Sequence, residues 1–182
     1  MGEAAARYRK VARAFGDRVE AVPEGAWGNP SPCEGWDARD VIRHLTAWLP
    51  AFFFERWALA AAIPPVDDDP AGAWRAVDST IRAALDDPAV AGRERDTPLG
   101  PRTFEAAIDE ICTSDVLVHT WDLARAAGLD DRLDPDEVHR QALAMAPYEE
   151  AMRASGHYGP RVELPPDADE QDRVLAFTGR RP

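Results

Sequence analysis

Apolar positions recur along this chain with a helical period. From residue 3 to 22, Tyr8, Val11, Phe15, Val19 and Val22 fall at steps of three or four, which predicts a first helix closed by Pro23. The segment "PEGAWGNPSPCEG" then reads as a loop, dense in proline and glycine. Asp37 is placed to cap a second helix, with Asp40 at its third position and Trp36 ready to staple onto Val41. The stripe of that helix runs Val41, His44/Leu45, Trp48 and Phe52, bends at Pro50, and fades near Ile63-Pro64-Pro65. A third helix opens at Asp69-Pro70 and buries Trp74, Val77, Ile81 and Leu85. The connection "DDPAVAGRERDTPLGPR" is long enough to be functional or to hold a short irregular element.

A fourth helix is expected over about 103–127, ending at Gly128. The fifth opens at "LDPDEV", with an Asp134/Glu137 capping box, Pro135 at its first position and a Leu133–Val138 staple. Pro147 should end or bend it, with a helical piece reaching toward Ser155, and the tail should be an extended arm plus a short helix near 168–177. No strand-period alternation is sustained and no repeat is visible. The expected fold is all-α: a four-helix bundle with one or two accessory helices and a C-terminal arm, as one domain over 1–182.

Composition narrows the partners. The 182 residues suffice for one proper core, and 45% apolar content is ordinary for a folded protein. The formal net charge of −12 would repel a phosphate backbone, so nucleic acid is not an expected partner. The most apolar run, "AWLPAFFFERWALAAAI", is broken by Pro50, Glu55 and Arg56, so no membrane span is expected. With no secretory signal visible, the expected compartment is the cytoplasm. Cys33 and Cys112 read as two reduced thiols, one in a loop and one packed in a helix, and no CxxC is present. The aromatic second half of helix 2 offers a patch for a homodimer.

The chemistry lies in helix 4. Its inward stripe reads Phe104, Ile108, Ile111, Asp115, His119, Asp122. Asp115 and His119 thus continue a core-facing row, one turn apart, a spacing at which two side chains can share one metal ion. A carboxylate buried alone is costly and asks for a charge partner or a metal. His44, on the inward stripe of helix 2, supplies a third donor, and two imidazoles with one carboxylate make an open site. The alternatives at this point are a plain Asp–His pair in helix 4 and a satisfied core histidine at 44. Asp122 can orient a ligand histidine or merely cap or pair with Arg125; Trp36 and Trp121 read as packing, and His139 and His157 as surface residues.

Two stretches, "SPCEGWDARDVIRHLTAW" and "SDVLVHTWDLARAAG", together resemble the DinB-like superfamily. More narrowly, they resemble short actinobacterial proteins similar to the N-terminal domain of mycothiol-dependent maleylpyruvate isomerase, and the tail "PPDADEQDRVLAFTGRRP" looks like the ending of that group. The resemblance implies a four-helix bundle holding a divalent metal, zinc first and nickel second, on His44, Asp115 and His119. It also implies mycothiol or a similar low-molecular-weight thiol as cosubstrate. Two departures stand out. The carboxylate is Asp where the isomerase has Glu, and 182 residues leave no room for the isomerase's second domain. The expected activity is therefore a metal- and thiol-dependent transferase or isomerase acting on small electrophiles. Two neutral imidazoles and one carboxylate leave a net +1 centre, which favours a coordinated thiolate. A hydrolase using metal-activated water and a non-catalytic metal- or ligand-binding module are the alternatives.

Overall fold

The computed structural model describes residues 2–145, 147, 149–150 and 159–182. Helix α1 (Glu3–Ala21) buries Tyr8, Val11, Phe15 and Val19, and ends where Val22 turns extended before Pro23. Helix α2 (Ala38–Leu49) starts at the expected reciprocal cap: Asp40 N–H donates to Asp37 Oδ1 at 2.8 Å, and Asp37 N–H to Asp40 Oδ2 at 3.1 Å. Pro50 has no N–H to donate into the helix ladder. The chain widens into a π-helical stretch, Pro50–Phe54, and continues through a last turn, Glu55–Trp57. It stops there, at Ala58 in the left-handed region (φ 55°), earlier than the Ile63-Pro64-Pro65 boundary expected from the apolar run. Residues 59–65 are not helical, and Leu59 and Ile63 pack on the core from an irregular segment.

Helix α3 (Pro70–Asp86) is capped by Asp69, which accepts from Gly72 N–H at 2.7 Å, and buries the four predicted apolar residues. The connection after it holds a helical turn (Pro88–Ala91) and an antiparallel hairpin, β1 (Glu94–Thr97) and β2 (Gly100–Thr103). Four-residue strands with exposed or half-buried side chains and no buried position carry no alternation to read, which is why the sequence pattern showed none. The fourth bundle helix runs from a turn at Phe104–Ala107 through a second π-helical stretch, Ile108–Cys112, into α4 (Thr113–Ala127). Gly128 ends it at φ 68°. The π stretch shifts the apolar row: Ile111 is only half-buried, and Cys112 takes the fully buried position.

The helices close a ring in which α1 packs on α3 and α4, and α2 packs on the same two. Its interior holds Tyr8, Phe15, Leu45, Phe53, Trp57, Trp74 and Phe104 with no exposed surface or nearly none. The fold is thus the expected all-α bundle, with the hairpin as its one sheet among the described residues. Helix α5 (Pro135–Met145) is capped by Asp134, which accepts from Glu137 N–H at 3.2 Å. The expected box is one-sided, because the Glu137 carboxylate pairs with Arg7 of α1 at 2.6 Å instead of turning back to the cap. Helix α6 (Glu170–Phe177) packs against α5, and its Leu175 joins Val118 and Trp121 of α4 in a small cluster. The continuation toward Ser155 and His157 lie outside the described residues. Among the described residues no helix is long and apolar enough to cross a membrane.

Candidate metal centre

His44, Asp115 and His119 converge. One donor atom of each lies within 4.8 Å of the others. His44 Nε2 stands 3.4 Å from Asp115 Oδ2, and His119 Nε2 stands 3.6 Å from Asp115 Oδ1, so the carboxylate bridges two imidazoles with its two oxygens. The rings of His44 and His119 meet at 4.7 Å between centroids, inclined by 60°. Helical spacing explains the Asp115–His119 pair, and the packing of α2 against α4 brings in His44.

The burial is graded. The side chain of His119 is 5% exposed, whereas Asp115 and His44 keep 28% and 31%. The centre is therefore walled by the bundle on the His119 side and open on the other. Aromatic rings frame it. Trp36 lies nearly parallel to His119, with centroids at 5.9 Å and planes 17° apart, and meets His44 at 5.0 Å. Trp48 packs beside His44 at 6.1 Å, and its indole N–H donates to Asp115 Oδ2 at 3.0 Å. Trp36, expected as a staple or packing residue, is thus part of the site wall.

Asp122 takes the orienting role that the sequence left open. It is fully buried, and its Oδ2 lies 2.9 Å from His119 Nδ1. Arg125 pairs with Asp131 instead. In the neutral ring, an Nδ1–H donated to Asp122 leaves the Nε2 lone pair facing Asp115 and His44. Two residues that the sequence did not assign to the site stand behind Asp122. Arg180 reaches Asp122 with two nitrogens, Nη2 to Oδ2 at 2.8 Å and Nε to Oδ1 at 3.3 Å. Cys33 Sγ lies 3.4 Å from both Asp122 Oδ2 and Arg180 Nη2. An arginine in a polar tail and a cysteine in a loop carry no local signal; only their distance in space reveals them. Cys33, His119 and Asp122 also cluster, but the Arg180 guanidinium already supplies a cation there.

Charge follows this geometry. Burial disfavours a charged imidazole at 119, but the Asp115 charge and the hydrogen bond to Asp122 outweigh it and push the ring up to about 10. Burial likewise opposes ionisation of Asp122, and His119 and Arg180 together bring it down to about 2. Asp115 is held below the usual carboxylate range: burial acts against this, and the His119 charge and the His44 and Trp48 hydrogen bonds prevail. The core side of the centre is thus two carboxylates interleaved with cationic or protonated nitrogens.

The three side chains fit a small divalent cation. Metal–ligand bonds of about 2.0–2.1 Å in a tetrahedron imply ligand–ligand edges of about 3.3–3.4 Å. The observed 3.4 and 3.6 Å separations run to different oxygens of Asp115, and one donor of each residue lies within 4.8 Å of the others, so a shared ion would draw the three donors together by a small side-chain shift. Two nitrogens and one oxygen suit zinc or nickel better than calcium or magnesium. The His139 ring is exposed and pairs with Glu170, far from this centre, as expected for a surface residue.

Residues 8–72, which carry most of α1 and all of α2 with His44, match the family described as the mycothiol maleylpyruvate isomerase N-terminal domain. Two uncharacterized proteins of Mycobacterium tuberculosis, from strains CDC 1551 / Oshkosh and ATCC 25618 / H37Rv, are each 29% identical over 176 residues, 95% of this chain and 95% of theirs. No solved structure matches the chain. Over residues 8–72, the segment that contributes His44 and Trp48 to the centre, the chain is thus similar to the mycothiol maleylpyruvate isomerase N-terminal domain family.

Proposed function

We propose that this protein binds one divalent cation, zinc before nickel, on His44, Asp115 and His119, and uses a low-molecular-weight thiol of the mycothiol class to transfer onto, or isomerise, a small electrophile. The observation that carries the reading is the convergence of these three donors at one open-sided centre, in a chain whose first helices match a mycothiol-related family. When bound, the cation would supply Lewis acidity and stabilise a thiolate. The chain's own residues do the rest. Asp122 fixes the His119 ring, and Trp48 fixes the Asp115 carboxylate. Trp36 and Trp48 form aromatic walls beside the imidazoles and offer flat faces to a substrate. Cys33 is engaged by Asp122 and Arg180 on the Nδ1 edge of His119, opposite the Nε2 edge that faces the other donors. A protein nucleophile is therefore not required, and the attacking sulfur comes from the cosubstrate.

Elemental analysis should find about one zinc or nickel per chain. The loaded protein should then consume mycothiol with a panel of activated alkenes, halides and epoxides. Turnover of esters or amides without any thiol would select metal-dependent hydrolysis instead. Failure to bind either metal at micromolar concentration would leave a ligand-binding bundle.

A further inference from the structure

The segment after α6 is polar and at the surface in sequence, yet it delivers a guanidinium to the innermost part of the centre. Arg180 is 58 residues from Asp122 along the chain, and its side chain is only 14% exposed. We infer that Arg180 is the positioning residue of the metal centre: it clamps Asp122, and Asp122 in turn holds His119 with Nε2 toward Asp115 and His44. This inference rests on the metal reading above and adds the C-terminal arm to it.

The links run from the arm through the buried Asp122 to the open side of the centre. Arg180 grips both oxygens of Asp122, Asp122 holds His119 Nδ1 at 2.9 Å, and His119 Nε2 faces Asp115 at 3.6 Å. A forked, two-point contact fixes the plane of a carboxylate, which one point cannot do. The arm itself is anchored where it matters. Leu175, fully buried, packs on Val118 and Trp121, the residues just before His119 and Asp122. After α6 the chain turns at Gly179 (φ 91°), and Arg180 N–H closes the turn on the Leu175 carbonyl at 3.0 Å. A Cβ at 179 would stand 3.0 Å from Gly159, so this turn accepts only glycine. Thus helix docking, turn and fork combine to place one cation on one buried carboxylate. Asp122, with no exposed surface, would be costly without it.

The test measures zinc affinity by chelator competition in wild type, Arg180→Ala and Arg180→Lys, with circular dichroism as the check on folding. Partners that orient a ligand histidine typically contribute 10–100-fold to metal affinity. Arg180→Ala should therefore bind zinc at least about tenfold more weakly while remaining helical. Arg180→Lys, which keeps the charge but loses the fork, should recover only part of the loss. Wild-type affinity in Arg180→Ala would overturn the inference. So would equal loss in both variants with a collapse of helicity, which would make the role structural. An independent readout uses the metal-free protein. The His119 Nδ1 proton should give an exchange-protected downfield NMR resonance, absent in Asp122→Ala and lost or broadened in Arg180→Ala. If wild type binds no metal, the metal reading falls, and this resonance alone decides the clamp: its loss in Arg180→Ala upholds the clamp, and its persistence overturns it.

Discussion

Trp48→Phe separates the polar contribution of a site wall from its packing. The substitution removes the indole N–H that donates to Asp115 Oδ2 at 3.0 Å, and keeps an aromatic ring beside His44, Phe52 and Phe53. A hydrogen bond to a charged group contributes about 1.5–3 kcal/mol. Asp115 keeps 28% exposure, so water takes over part of the lost contact and the low end applies, about 1.5 kcal/mol. At about 1.4 kcal/mol per factor of ten, zinc affinity should fall roughly tenfold. The measurement is competition against a fluorescent zinc chelator at fixed pH and salt. Phe52→Leu serves as the companion, since Phe52 packs edge-on against Trp48 at 5.8 Å and donates nothing to Asp115. Trp48→Phe should lose about tenfold and Phe52→Leu should stay within about twofold. An unchanged Trp48→Phe would refute the idea that the indole orients a ligand carboxylate. An equal loss in both variants would assign the effect to packing.

Four further outcomes are expected. His44→Ala and His119→Ala should each abolish tight metal binding, and full retention in either would sink the ligand assignment. In the metal-free protein His119 keeps its proton up to about 10, and a metal must displace it. Apparent zinc affinity should therefore rise with pH between about 6 and 9, by roughly tenfold per unit, with about one proton released per ion in calorimetry. A pH-independent affinity would show that His119 is not the displaced base. Glu137→Ala breaks the buried pair with Arg7, whose second partner, Asp109 at 2.8 Å, remains. The loss should be about 2–3 kcal/mol, below the full cost of orphaning a buried charge, and should lower the melting temperature by roughly 5–10 °C with zinc affinity unchanged. Zinc at about 100 times its Kd should raise stability by about 2.7 kcal/mol, a gain read as a higher melting temperature that a chelator reverses and that His44→Ala lacks.

The helices were legible because their information is local. Asp37, Asp69 and Asp134 cap where the sequence placed them, and the stripes of α1 and α3 are buried as their spacing required. The π-helical stretches were not legible. A single widened turn leaves apolar residues at nearly the same intervals, and only the swap of Ile111 for Cys112 in the core betrays it. The end at Trp57 of the helical run that α2 begins was missed for a related reason: Leu59 and Ile63 continue the apolar signal although they pack from an irregular segment.

For the site, the sequence alone determined the Asp115–His119 pair, because residues four apart on a helix must share a face. It also placed His44 on an inward stripe of another helix. Whether those faces meet, and which neighbours they meet, was decided by the packing of α2 on α4 and of α6 on α4. Trp36 became a wall of the centre because its loop folds back toward α2 and α4, and Asp122 became the brace of His119 because Arg180 arrives from the far end of the chain to neutralise it. Helical period fixes neighbours within a turn, whereas a charge brought in across 58 residues depends on the burial of Leu175 and the turn at Gly179, which no local pattern encodes.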